Sequence, residues 1–245
     1  PTAAEVSVLI NTTYPSSSDK IGTTEGHFRV SESGSASYNI PIAVAAGTAG
    51  VAPDISLSYN SQGGNGLLGK GWSLSGISSI TRCRKTAWQD REAQPISWDE
   101  NDRFCLNGSR LLVTDGSYGA PNSKYKLEID QYNSIVAVGG KHGAPNYFEI
   151  KGKDGSLRRF GETDDHRQKA GGNTFTWHLN TFKDSAGNGI DYSYEKGDGM
   201  RLTTINYAYD KDKTSHAKVE LVYEARADVL SAYVGGALFV SKKRL

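Results

Sequence analysis

Cysteine, methionine and histidine are scarce in this sequence, and long apolar runs are absent. Its 245 residues include two cysteines, one methionine and five histidines. No stretch of about 18 consecutive apolar residues occurs, which excludes a membrane-spanning helix, and the opening residues PTAAEV lack the basic and apolar regions of a signal peptide. Cys83 and Cys105 form no C-x-x-C pair, so a thioredoxin-like site and a zinc knuckle are both excluded.

A large excess of one charge is also missing. The chain has 28 Lys and Arg against 27 Asp and Glu, a formal net charge of +1. A chain so balanced has no overall field that would draw it to nucleic acid or to an anionic membrane surface. We therefore expect no nucleic-acid partner.

The residues that are plentiful favour strands and tight turns. There are 28 glycines and 13 tyrosines, and apolar and polar residues alternate over residues 55–60, 175–180 and 218–221, which is the period of a strand with one buried face. Turn pairs lie between such runs, and the pair Asp154-Gly155 predicts a hairpin of residues 147–151 and 157–160. The sequence therefore predicts an all-β fold of many short antiparallel strands with little helix.

The chain divides into two parts by composition. Residues 1–32 are rich in serine and threonine and are expected to form an N-terminal leader or linker that could be partly ordered. From residue 33 to residue 245 the alternation of strands and turns does not break, which indicates a single β domain.

The stretch GGNGLLGKGW, residues 63–72, matches two phosphate-binding patterns at once. It fits the G-x-G-x-x-G of a dinucleotide loop and the beginning of a P-loop, but Gly71 stands where a P-loop carries Ser or Thr. Both motifs also need a following helix, whereas residues 72–80 alternate like a strand. We therefore expect a glycine-rich turn between a strand at 54–60 and a strand at 72–82, and no bound cofactor.

Many motifs, taken in their order along the chain, resemble one protein family. They include GSASYNIPI at 34–42, LSYNS at 57–61, GKGWSL at 69–74, DRFCLNG at 102–108 and YEARAD at 223–228. This series resembles the SpvB-type domain that opens the B subunits of insecticidal toxin complexes and many secreted proteins with RHS/YD repeats. The resemblance spans about residue 22 to the C-terminus. The motif positions expected to be structural are Pro41, Gly69, Gly71, Trp72, Asp102, Gly108, Trp177, Gly187, Asn188, Arg226 and Asp228.

The resemblance implies a structural function for a secreted bacterial protein. In toxin-complex B subunits this domain contributes strands to a hollow shell, continued by RHS repeats, that encloses a toxic C-terminal polypeptide. The implied partners are a downstream RHS-repeat region or a companion toxin subunit, together with the enclosed cargo. The domain of residues 33–245 is therefore expected to be incomplete without downstream sequence. The family's namesake has a separate ADP-ribosyltransferase domain with a Glu-x-Glu pair, and this sequence contains no such pair. We therefore expect no catalytic residues.

Export also bears on the two cysteines. Because the resemblance implies an oxidising compartment, a disulfide between Cys83 and Cys105 is the favoured prediction, with two free thiols as the alternative.

Arg226 and Asp228 lie two positions apart in a strand-like segment, so they share a face and are expected to form a structural ion pair.

Two other kinds of site have weaker support. His27, His142, His166, His178 and His216 show no metal-ligand spacing, and the acidic runs at 99–102, 164–166 and 184–191, which could offer oxygens to calcium, lack EF-hand spacing. We expect surface or structural histidines, solvated turns and no metal.

A carbohydrate-binding or adhesion module is the alternative function, for which Trp88 and Trp98 are the best exposed candidates, while Trp72 and Trp177 are expected to be buried.

Overall fold

The computed structural model describes residues 26–129 and 132–245, and their regular structure is almost entirely β-strand. One short helix occurs in these ranges, α1 (Ala87–Asp90), with two 3-10 turns at Thr48–Gly50 and Asp164–His166. The all-β prediction is confirmed. No helix within the described residues has the length and apolar character needed to cross a membrane.

The described residues form twenty strands. In chain order they are β1 (His27–Val30), β2 (Ala36–Pro41), β3 (Ser56–Asn60), β4 (Asn65–Gly66), β5 (Gly69–Lys70), β6 (Trp72–Ser75), β7 (Ser79–Cys83), β8 (Arg103–Leu106), β9 (Ser109–Asp115), β10 (Lys124–Leu127), β11 (Ser134–Val138), β12 (Tyr147–Lys151), β13 (Leu157–Phe160), β14 (Arg167–Ala170), β15 (Asn173–Lys183), β16 (Gly189–Gly197), β17 (Gly199–Tyr209), β18 (Ser215–Glu220), β19 (Glu224–Val234) and β20 (Ala237–Arg244).

Eight of these strands close into a ring. Strands β7 to β13 pair antiparallel in sequence order, and the long strand β15 pairs with both ends of the series. Its residues Thr176–His178 pair with β7, and residues Leu179 to Lys183 pair with β13. The predicted hairpin of residues 147–151 and 157–160 is confirmed as β12 and β13. Closure leaves no free edge between these eight strands.

The ring encloses an aromatic core. Phe104, Phe148 and Trp177 are fully buried and meet edge to face, with ring centroids 5.2 to 5.5 Å apart. Contacts of this geometry stabilise a fold by about 0.5–1.5 kcal/mol each beyond the area that they bury. Ile80, Leu111, Ile135, Ile150 and Phe160 complete the interior from alternating positions on their strands.

The remaining strands extend from or lie beside this ring. Strands β16, β17 and β18 continue the sheet outward from β15, and β19 pairs with β20 as a separate hairpin. A smaller sheet has the order β1-β2-β3-β6. Tyr207 of β17 donates its hydroxyl hydrogen bond to Ala45 O (3.0 Å), which connects the large sheet to the segment between β2 and β3.

The strand predicted at 72–82 is in fact two strands in two different sheets. Strand β6 pairs with β3, whereas β7 belongs to the ring. Between them lies Gly76 with φ 93°, where a Cβ atom would lie 1.9 Å from Asp54 O. Only glycine permits this bend together with so close an approach of two backbones, and the alternating pattern continues across it without a signal. Of the predicted leader, residues 26–32 contain β1, and residues 1–25 lie outside the described residues.

Candidate functional site

A buried ion pair lies beside the aromatic core. Arg82 Nη1 is 3.0 Å from Asp102 Oδ2, and both side chains are 1% exposed. Arg82 also donates from Nε to Thr174 O and from Nη2 to Gly143 O, both at 2.7 Å. Burial lowers the pKa of Arg82, and the nearby Asp102 carboxylate opposes that shift. A charge pair so enclosed by hydrogen bonds holds segments together and is not accessible to a ligand.

Asp102 also fixes the segment between β7 and β8, residues 84–102, which we call the polar excursion. Its carboxylate accepts hydrogen bonds from the N–H groups of Ser97 (2.8 Å) and Trp98 (2.9 Å). The family motif placed a structural residue at Asp102, but its partner Arg82 was missed. The signal was present: Arg82 is two residues after Ile80 on one strand, so a charge occupies a core-facing position.

A disulfide closes the same excursion. Cys83 on β7 and Cys105 on β8 are bonded, with Cα atoms 6.0 Å apart. The predicted disulfide is therefore present, and neither residue is a free thiol. Residues 84–102 are tied at their base by this covalent bond and by the Arg82–Asp102 pair.

A second ionic group joins Asp90 of the excursion to β8 and β9. Asp90 accepts hydrogen bonds from Arg103 Nε (2.8 Å) and from Arg110 Nη1 (2.8 and 3.0 Å). Burial by itself raises the pKa of Asp90, but the hydrogen bonds from Arg110, from the Thr86 N–H and from Arg103 outweigh it, so the pKa lies below its ordinary value. Asp90 ends helix α1, which the side chain of Thr86 caps.

Two of the four tryptophans, Trp72 and Trp98, differ in exposure from the sequence prediction. Trp177 is buried as expected, but Trp72 is only half-buried, with its ring tilted against Tyr59 at 5.3 Å. Trp98, a candidate for an exposed surface, is half-buried: its Nε1 donates to Gly235 O (2.7 Å) and its ring meets the edge of Phe175. It attaches the β19–β20 hairpin to the ring. Trp88 alone of the four is open to solvent, at 90% exposure.

The glycine-rich stretch at residues 63–72 hydrogen-bonds to strand β19 of the β19–β20 hairpin. Strands β4 and β5 form a small turn in which Gly66 O accepts from Arg226 Nη1 (3.0 Å). Arg226 Nη2 lies 3.0 Å from Asp228 Oδ2, and Asn65 Nδ2 donates to the same oxygen at 2.6 Å. Hydrogen bonds from Arg226 and then Asn65 hold the pKa of Asp228 far below its usual range. The predicted turn and the predicted ion pair are both confirmed.

Three glycines of the family motifs occupy conformations that favour glycine. Gly69, Gly71 and Gly108 have φ of 96°, 80° and 83°. At Gly71 a Cβ atom would lie 2.6 Å from the Tyr59 ring, so a side chain there would displace the β3–β6 pairing. Pro41 ends β2 at an exposed position.

Two acidic side chains of the predicted runs, Asp99 and Asp184, accept hydrogen bonds within their own turns. Asp184 accepts from the backbone N–H and the side-chain Nδ2 of Asn188, in a turn that Gly187 completes with φ 90°. Asp99 accepts from Ser97 Oγ and Asn101 N–H. Residues 26–129 and 132–245 hold no group of three or more His, Cys, Asp and Glu side chains that could bind a metal ion.

Two of the five histidines are brought together. His166 and His178 both contact the Tyr194 ring, at centroid distances of 5.5 and 4.8 Å. His166 Nε2 lies 2.7 Å from Tyr192 O, whereas His178 Nε2 is buried without a hydrogen-bond partner. Burial, assisted by His166, lowers the pKa of His178 to about 4. A neutral imidazole packed on an aromatic ring is a structural arrangement at neutral pH.

These features define a class of all-β domain: a closed antiparallel sheet braced by buried ion pairs and a disulfide, with further strands at its margins. A family model described as Salmonella virulence plasmid 65kDa B protein matches residues 30–228, and the chain belongs to this SpvB family.

Relatives within and near the family are longer than this chain. The chain is 28% identical over 195 residues to mono(ADP-ribosyl)transferase SpvB of Salmonella typhimurium, a match that covers 69% of this chain and 31% of that protein. The same values hold for the protein of Salmonella dublin. The chain therefore spans about a third of the length of the curated relatives that it matches.

Solved structures share the fold. TcdB2-TccC3 has a TM-score of 0.70 and 18% identity, over 96% of this chain and 14% of that chain. The N-terminal domain of effector protein SpvB from Salmonella typhimurium strain LT2 has a TM-score of 0.65 and 21% identity, over 84% of each chain. At these identities the likeness shows the architecture alone.

Proposed function

We propose that this chain is a non-enzymatic structural domain of a secreted bacterial toxin or polymorphic RHS-repeat protein. Its strands form part of a shell that encloses a toxic C-terminal polypeptide and helps to deliver it. The neighbouring parts of that shell are an RHS-repeat region of the same polypeptide or a companion toxin subunit. The observation that best supports this proposal is that the ring β7–β13 and β15 is closed around a packed core, whereas strands β1 and β18 each have an unpaired edge within the described residues.

The outer strands supply the places where a larger sheet can continue. Within the described residues β1 pairs only with β2, and β18 pairs only with β17. Phe28 and Val30 of β1 are 65% and 61% exposed on one face. An unpaired edge with exposed apolar side chains promotes aggregation unless another strand covers it. Pairing with further strands would cover these edges, which prevents aggregation and also extends the sheet of the shell.

The ionic side chains support a structural function over a catalytic one. Arg82, Asp102 and Asp90 have their charged groups engaged in hydrogen bonds that join separate segments. The side chain of Arg226 is 1% exposed and contacts Asn65, Gly66 and Asp228. Groups held in this way are not free to move a proton or to meet a substrate. They do resist separation of the strands that they join.

Backbone amide exchange of the outer strands tests this proposal. In the native full-length protein we expect β1 to exchange slowly, because its outer edge is covered there, and in residues 1–245 alone we expect it to exchange fast. Strand β12, paired on both sides with β11 and β13, is the internal control and should be equally protected in both. Fast exchange of β1 in the full-length protein would contradict the proposal.

A further inference from the structure

A cleft of about 450 Å³ lies between the β14–β15 hairpin, the β19–β20 hairpin and the turn that joins β16 to β17. Residues of β14, residues of β20 and residues 197–200 of the β16–β17 turn line it. The two hairpins are held beside each other by Phe175 and Phe239, whose ring centroids are 5.0 Å apart. The cleft is separate from the outer edges of β1 and β18.

Strand β20 presents a free backbone edge to this cleft. The hairpin turns through Gly235 and Gly236, so Val234 and Ala237 are the hydrogen-bonded pair beside the turn. Because such pairs alternate along an antiparallel ladder, the N–H and C=O groups of Leu238 and Val240 point away from β19. In the described part of the chain β20 pairs with no strand other than β19.

Two neighbouring contacts agree with this direction. Lys242, the next residue in the same series, donates its backbone N–H to Asp198 Oδ2, outside the hairpin. Gly199 borders the C=O of Val240, and a Cβ atom at Gly199 would lie 3.2 Å from that oxygen. A side chain at position 199 would therefore crowd this carbonyl.

The side chains that line the cleft have an excess of positive charge. Three cations, Arg167, Lys169 and Lys196, face two carboxylates, Asp164 and Asp198. Asp198 is occupied by Arg201 and the Lys242 N–H. All three cations therefore share Asp164: Lys169 contacts Oδ1, Lys196 Nζ is 2.9 Å from Oδ2, and Arg167 Nη2 is 3.6 Å from Oδ1. Lys196 Nζ also lies 3.1 Å from Asp165 Oδ1. Three cations therefore face the two carboxylates Asp164 and Asp165, and an added carboxylate would meet the remaining positive charge.

We propose that the cleft binds an extended acidic segment of a partner polypeptide, which adds to the free edge of β20 as a further strand. Its backbone pairs with Leu238 and Val240, and its carboxylates face Lys169 and Lys196. Addition of a strand to a sheet edge obtains affinity from main-chain hydrogen bonds and specificity from alternate side chains. Charge excludes a second copy of β20 as the occupant, because its sequence ALFVSKKR is basic. This surface can fail while the shell proposal holds, since it uses different strands.

Fluorescence anisotropy with labelled synthetic peptides tests the proposal on the intact chain. The probe is a short peptide of alternating valine and glutamate, for which we expect saturable binding. One comparison peptide replaces glutamate with lysine, and another carries N-methyl groups on alternate backbone nitrogens, which removes the donors of a strand edge. We expect both comparison peptides to lose binding.

Variants of the cleft sharpen the test in two directions. The double variant Lys169→Glu, Lys196→Glu should weaken binding of the valine–glutamate peptide by about tenfold or more. Asp164→Asn should tighten it, because the carboxylate that contacts all three cations is gone, and loss of folding cannot mimic a gain. Lys151→Glu on β12, which changes an exposed lysine outside the cleft lining, should leave binding unchanged. Absence of saturable binding, or binding that N-methylation does not reduce, would overturn the proposal.

Discussion

His178 illustrates how one side chain can give the domain a dependence on pH. Its folded pKa of about 4 lies below the unfolded value of 6.5, so the unfolded chain takes up a proton first as the pH falls. The stabilisation is present above pH 6.5 and is lost as the pH falls towards 4. Allowing for partial exposure of the residue, the loss is on the order of 2 kcal/mol.

Urea unfolding at pH 7 and pH 4.5 checks this prediction. The His178→Gln variant should show a smaller decrease in the free energy of unfolding between these two pH values than the original chain. His27→Gln, which changes an exposed histidine on β1, should show the original decrease. The carboxylates with lowered pKa values, such as Asp164 at about 2, lose their contribution at lower pH. An unchanged pH dependence in His178→Gln would rule out this histidine as its cause.

Single residues also show where sequence reasoning succeeds and where it stops. The ion pair of Arg226 and Asp228 was predictable because two positions on one strand share a face. Their further partner Asn65, more than 160 positions away along the chain, was not, because no local pattern specifies which distant turn meets a strand. The burial of Arg82 follows from the strand period. That Asp102 is its partner depends on how residues 84–102 fold, which no local pattern shows.

At the scale of elements, the disulfide and the excursion that it closes act as one unit. Cys83 and Cys105 enclose a loop with a sequence separation of 22, for which the loss of loop-closure entropy in the unfolded chain corresponds to about 3 kcal/mol. The double variant Cys83→Ser, Cys105→Ser should therefore lower the free energy of unfolding by that order. Urea titration followed by tryptophan fluorescence measures it.

Reduction provides a matched control for the cysteine variant. The original chain unfolded in the presence of a reductant should match the double serine variant, because both lack the same bond. A loss below about 1 kcal/mol would mean that the bond removes much less entropy from the unfolded chain than loop closure predicts. The structural account of the disulfide would then be wrong.

Elements were predicted well where their cause is local. The β12–β13 hairpin followed from an alternating pattern around Asp154-Gly155, and the glycine-rich turn followed from the missing helix after Lys70. The strand at 72–82 was wrong, because the alternation of apolar residues does not register that Gly76 bends the chain into another sheet. Periodicity reports which face is buried and not which sheet buries it.

For the whole molecule, the decisive feature is the closure of the ring by β15. This pairing joins residues Leu179–Lys183 to β13 and Thr176–His178 to β7, so one strand serves two distant parts of the chain. An all-β fold was predictable from composition and turns, but this non-local pairing was not. The ring is closed around its core, whereas β1 and β18 each pair with one strand within the described residues.

The central claim is that this domain belongs to a shell around another polypeptide. Limited proteolysis of the native full-length protein, followed by intact mass measurement of every surviving chain, tests it most directly. A matched digestion after unfolding in urea shows which fragments owe their survival to enclosure. The account predicts a C-terminal polypeptide that survives only in the native sample. A protein that is digested evenly beyond residue 245 in both samples would contradict it.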